Sequence, residues 1–171
     1  LGYVKRAEGD DYQSGDGTTI LGTAADLYSY LGKIAYQGPE GHRFELTGQQ
    51  LEDQELRQFR ANFGGLGGVV DNLRLYDTTR SSYSFTYENV LADGLWDPKL
   101  SLGYSESEII IPDPWDSNGR SGTWSASLQN TFNLGGNNNV VAGIDHQKRF
   151  GNYTSPTFGE DYREESKVYG I

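Results

Sequence analysis

The chain has 171 residues, 24 of them acidic and 14 basic, for a formal net charge of −10; glycine (23) and tyrosine (12) are abundant, and cysteine and methionine are absent. A surface of that sign repels nucleic-acid phosphates, and no basic stripe with interleaved aromatics overrides it, so nucleic acid is not an expected partner. The lack of cysteine excludes a disulfide framework and thiol chemistry, and no stretch reaches the roughly 20 apolar residues of a membrane-spanning helix.

Strands remain the natural reading of a composition rich in glycine, tyrosine, asparagine and serine. Residues 1–6 read as the end of one strand. "ADLYSYLGKIAYQ" (Ala25–Gln37) puts Tyr28, Tyr30, Ile34 and Tyr36 on one face and Ser29 and Lys33 on the other. After the turn "GPEG" (38–41), "HRFELTGQQLED" (42–53) sets Phe44 and Leu46 against Arg43, Glu45 and Thr47. In residues 82–111 Tyr83, Phe85 and Tyr87 alternate with serines and threonine, and Leu100, Leu102 and Tyr104 repeat the pattern after "ADGLWDP". "TWSASLQNTFNL" (123–134) is the cleanest alternation, and "GGNNN" (135–139) supplies a tight turn into "VVAGIDHQKRF" (140–150). "REESKVYGI" (163–171) starts a further strand.

The period of two predicts about seven or eight antiparallel strands. Short connections at 38–41, 92–98 and 135–139 are expected to alternate with long ones at 7–24, 54–77, 112–122 and 151–162. Two architectures put one greasy face on every strand. A soluble sandwich turns it inward to a core; an outer-membrane barrel turns it outward to lipid, with short periplasmic turns and long extracellular loops. Strands of about ten residues, aromatics toward strand ends (Tyr28, Tyr36, Tyr104, Trp124) and loops that alternate in size favour the barrel. The fold expected is therefore an all-β, antiparallel transmembrane barrel meander, contacting outer-membrane lipid. No export signal is visible, so one is expected to be removed or to lie outside the chain.

Two stretches carry a family resemblance. "KIAYQGPEGHRFELTGQQLEDQELRQFRANFGG" (33–65) resembles an early barrel hairpin of TonB-dependent outer-membrane receptors, and "VAGIDHQKRFGNYTSP" (141–156) with the closing "REESKVYGI" resembles a later part of the same barrels. The resemblance covers most of the chain. Such receptors carry an N-terminal plug and a barrel of about 22 strands; no plug motif is visible, and the chain ends in Gly170 and Ile171 rather than a terminal aromatic. Residues 1–171 are thus expected to be part of an outer-membrane barrel domain. The resemblance implies uptake of an iron complex, a siderophore or haem, with energy from the TonB complex acting through a plug not present here. A complete eight-stranded barrel (structural, adhesive or enzymatic) and a soluble ligand-binding β-domain are the alternatives.

Loop 54–77 holds the ligand-binding residues expected for such a role. Arg57 and Arg60 lie among Phe59 and Phe63, which suits an anionic, aromatic ligand through charge-assisted hydrogen bonds and stacking; the competing reading is a loop packed on its own aromatics and paired with nearby acids. Trp115, in "PDPWDSNG", is a further contact or an anchor. His42 and His146 are too far apart in sequence pattern to share a metal, and Asp10, Asp11 and Asp16 lack EF-hand spacing, so no metal or cofactor site is expected. Glu106 and Glu108 share a strand face and, with lumen-side serines, could form a hydrolase pair. No catalytic motif accompanies them, and an enzyme is not expected.

Overall fold

The computed structural model of the protein describes residues 1–58, 73–136 and 138–171. Eight strands follow in order: β1 (Gly2–Gly9), β2 (Ala25–Gln37), β3 (His42–Gln58), β4 (Leu73–Asn89), β5 (Pro98–Ile111), β6 (Ser117–Asn133), β7 (Asn139–Ser155) and β8 (Glu160–Gly170). They make one antiparallel sheet in which each strand pairs with its sequence neighbours, leaving β1 and β8 as the two edges. The expected all-β meander is the observed architecture. A closed eight-stranded barrel would join β8 to β1, and that pairing is not made.

The strict alternation of short and long loops is corrected. β3 runs to Gln58, β6 starts at Ser117 and β7 continues to Ser155, so much of what reads as loop at 54–77, 112–122 and 151–162 is strand. Between β5 and β6 only residues 112–116 remain, fewer than the 90–97 turn at the opposite end of the sheet. The reason is physical: the alternation fades where both faces become wet, while the ladder hydrogen bonds go on beyond that point.

Residues directly opposite in an antiparallel ladder share a face. One such row runs Ile34, Leu46, Phe85, Leu102, Ala126 and His146 across β2 to β7; shifted by one residue, the row reads Lys33, Thr47, Ser84, Gly103, Ser125 and Gln147. The sheet therefore has one apolar and one polar side. No apolar side chain among the described residues is buried, and Ile34 is 73 %, Ile144 60 % and Tyr169 71 % exposed. A soluble domain of this length buries a core, so the greasy face belongs against lipid. The soluble alternative needed Tyr83 buried, and it is 49 % exposed.

Aromatic rings mark both borders of that apolar band. Tyr83, Tyr104 and Trp124 stand side by side, with ring centroids 6.4 Å and 4.2 Å apart, at the end toward the β1–β2 and β3–β4 connections. Toward the other end Phe44 packs on Tyr87 at 5.1 Å, and the Tyr87 hydroxyl is 2.9 Å from His42 Nδ1. Such paired girdles are the interfacial anchors of membrane barrels. On the polar side, near the short turns, an ion ladder crosses four strands: Lys33 to Glu45 (2.7 Å), Glu45 to Arg43 (3.1 Å), Arg43 to Glu88 (3.8 Å) and Glu88 to Lys99 (3.7 Å).

Candidate ligand-binding mouth

At the end away from the ion ladder, β3 and β4 bring Arg57 and Arg74 directly opposite each other on the polar face. Like charges so placed repel, and each is given its own partner. Arg57 Nη2 donates to both carboxylate oxygens of Asp53 at 2.9 Å, and its Nη1 donates to the Ala24 carbonyl. The Arg74 guanidinium lies 5.3 Å from the centroid of the Trp115 ring, a cation–π contact. Trp115 in turn sits 6.2 Å from Phe158, centroid to centroid.

The backbone of Trp115 is tied to the two buried serines found among the described residues. Its carbonyl accepts a hydrogen bond from Ser155 Oγ (3.1 Å); Ser155 is fully buried and accepts from Ser117 Oγ (3.3 Å), which accepts from the Tyr153 hydroxyl (3.4 Å). Three strand side chains thus pin the backbone of a loop residue. Phe158 is the last residue of the 3-10 turn Pro156–Phe158, which Gly159 ends in the left-handed region at φ 66°. Phe158 stays 59 % exposed, so the cluster keeps an open aromatic surface.

The segment 10–24 closes over the same end. Asp11 Oδ1 accepts from the amides of Thr23 (2.7 Å) and Ala24 (2.8 Å), and these bonds hold its carboxyl below the ordinary aspartate range. Asp16 is held at about 2, chiefly by the Ser14 hydroxyl and then by the Thr18 amide. Gln58 Nε2 reaches the Leu21 carbonyl at 3.2 Å. These carboxylates organise their own loop, and no group of three metal-ligating side chains occurs among the described residues.

Arg57 and Trp115, both expected from sequence, lie at one end and are linked through Arg74. Phe59, Arg60 and Phe63 lie outside the described residues. Arg74 and Phe158 were missed: Arg74 shares the inward parity of Ser82 and Ser84 on β4, which was legible, whereas nothing local ties Phe158 to Trp115. The hydrolase pair is corrected. Glu106 and Glu108 share the lipid-side face of Tyr104, opposite Ser105 and Ser107, and they are committed elsewhere, Glu106 to Arg120 and the Tyr104 hydroxyl, Glu108 to Asn118 Nδ2 at 2.9 Å. His146 also lies on that outer face, against Tyr169 at 4.7 Å, rather than in the lumen.

No family model matches the chain. Curated proteins described as "Heme transporter BhuA", from Brucella ovis, Brucella abortus and Brucella suis, are 29 % identical to it over 164 residues, which is 93 % of this chain and 24 % of theirs. Among solved structures, the hemophore receptor HasR of Serratia marcescens, a double mutant in complex with its hemophore HasA and heme, matches 94 % of this chain and 23 % of its own with a TM-score of 0.63 at 19 % identity. The chain is similar in sequence to part of those transporters and shares its fold with part of the barrel of that receptor. It spans about a quarter of the length of the relatives it matches. Its place is the bacterial outer membrane, with the apolar face of the sheet toward lipid, and the relatives are transporters and a receptor, not enzymes. In a barrel of this kind the connections 38–41, 90–97 and 134–138 are periplasmic and the Arg57–Trp115 end is extracellular.

Proposed function

We propose that the whole protein carries haem across the outer membrane with energy delivered by the TonB complex through a plug outside this chain, and that residues 1–171 form part of the wall of its barrel domain. Haem is favoured over a siderophore because the Brucella relatives are named as haem transporters along 93 % of this chain. The observation that carries the reading at residue level is the cluster of Arg74, Trp115 and Phe158 beside Arg57 at the extracellular end. Haem is a flat aromatic ring with two carboxylates. Stacking on Phe158 and Trp115 and a charge-assisted hydrogen bond from the Arg74 guanidinium answer both parts of it, with Arg57 beside them held by Asp53. The chain's own residues bind and orient the ligand at the mouth; the Asp53 carboxylate keeps Arg57 extended between β3 and residues 10–24.

The test is haem titration of the full-length receptor in detergent, wild type against Trp115→Ala and Phe158→Ala. Each loses stacking worth about 1–3 kcal/mol by analogy with base–aromatic platforms, so affinity is expected to fall roughly ten-fold or more. A wild-type receptor that binds a ferric siderophore and not haem would overturn the choice of ligand. Unchanged haem affinity in both variants would move the site away from this cluster.

A further inference from the structure

Below the mouth, the polar face of β4 to β7 forms a hollow whose floor is Ser105, Ser107, Ser121 and Thr123 and whose two flanks are Arg80 and Arg149. The flanking arginines differ from their neighbours on that face. Lys33, Arg43, Arg57 and Lys99 each meet a carboxylate, whereas Arg80 and Arg149 make no ion pair among the described residues. Arg149 Nη2 donates only to Gln147 Oε1 at 3.0 Å, and both side chains are exposed to the hollow. Four strands thus hold, over a floor of small hydroxyls, two guanidiniums that meet no acid among the described residues.

Their placement is regular. Arg80 lies six residues along β4 from Arg74 on the same face, so roughly 20 Å further from the extracellular end at about 3.4 Å per residue. Arg149 is three strands away from Arg80, about 14 Å across the sheet, and one inward-facing position nearer the periplasm. A guanidinium left without an acid in a lined hollow is an anion acceptor, and its fork geometry suits carboxylates. Serine and threonine side chains between the two leave room for a planar ligand and can donate to its oxygens.

We infer that Arg80 and Arg149 form a second station for the ligand's carboxylates, inside the lumen and below the mouth, through which an anionic ligand passes after leaving Trp115 and Phe158. This rests on the haem reading above. It adds a step in which the two arginines accept carboxylates that the Arg74 and Trp115 cluster releases.

The experiment uses the full-length receptor in cells and measures haem uptake against concentration for wild type, the double variant Arg80→Gln/Arg149→Gln and the double variant Arg80→Lys/Arg149→Lys. The glutamine pair is expected to lower the maximal uptake rate about ten-fold with the half-saturating concentration within about a factor of two, because capture at the mouth precedes the station; the lysine pair is expected to restore most of the rate, since it keeps the charges. Heat-resistant migration of each variant as a folded barrel controls for assembly. Uptake unaffected by the glutamine pair would sink the station alone. A rate lost equally in the lysine pair, or a half-saturating concentration raised ten-fold, would also overturn it, making the arginines part of barrel or plug packing or of first capture. A wild-type receptor that takes up no haem would overturn both this inference and the function on which it rests.

Discussion

Tyr83 lies directly across from Gly48, and its ring carbon Cδ1 would be only 3.2 Å from a Cβ placed on that glycine. The ring covers bare backbone on the lipid side, next to Tyr104 in the girdle. A glycine in a strand has no side chain to pack, and a cross-strand aromatic supplies what it lacks. Tyr83→Ala is expected to cost about 1 kcal/mol, measured by urea unfolding of the full-length receptor in bilayers; Gly48 left as it is, Tyr83→Phe should be nearly neutral, because the ring and not the hydroxyl makes the contact.

The two faces of β5 make opposite demands. Leu102 stands between Phe85 and Ala126 in the apolar row, and Ser101, one residue earlier, stands between Thr86 and Ser127 on the polar face. Arginine near the bilayer midplane costs about 2–4 kcal/mol on a lipid-facing position. Leu102→Arg is expected to show that loss in the same unfolding titration, and Ser101→Arg less than half of it. Equal costs would mean that the faces have been assigned the wrong way round.

How far the sequence reaches can be seen at single residues. Tyr83, Phe85, Leu100 and Leu102 declare strand and face by period alone, because a half-lipid, half-polar strand has nowhere else to put them. Arg120 and Asn152 are strand residues that no period announces, since above the lipid band both faces are wet and the ladder alone holds the chain extended. At the mouth, Arg57 and Trp115 were legible as residue types, but their connection runs through Arg74 and Phe158, which are brought in by register and by the turn after Ser155. Contacts across non-adjacent strands leave no local signal.

Acid should loosen the segment 10–24 late. Asp11 and Asp16 are both held below their ordinary value of 3.8, Asp16 at about 2. A carboxyl lowered in the folded state contributes stability that is fully present above its unfolded pKa and is lost as the pH falls through the folded one. The contribution of Asp16 is therefore intact above about pH 4 and lost as the pH falls toward 2. Carboxyl carbon chemical shifts of labelled receptor should give Asp16 a midpoint near 2; a midpoint at the ordinary aspartate value would remove the hydrogen bonds from Ser14 and Thr18 as its cause.

Gly22 is the tightest joint between that segment and the barrel. It sits in the left-handed region at φ +82°, and a Cβ there would fall 2.8 Å from Leu73 Cδ2 and 3.1 Å from the backbone nitrogen of Gln58. The leucine methyl can rotate away, but a backbone nitrogen in the β3 ladder cannot. Gly22→Ala therefore adds left-handed strain of roughly 1–2 kcal/mol and a clash that only lifting of the segment relieves. Lifting would break the Gln58 bond to the Leu21 carbonyl and draw Ala24 away from Arg57, the residue that the segment helps to hold at the mouth. The amides of Thr23 and Ala24, protected by Asp11, are expected to exchange with solvent about ten-fold faster in the variant, while amides in the middle of β3 keep their wild-type rates. On the haem reading proposed above, haem affinity is expected to fall in the same variant because Arg57 loses its bond to the Ala24 carbonyl, and an unchanged affinity would show that Asp53 alone holds it.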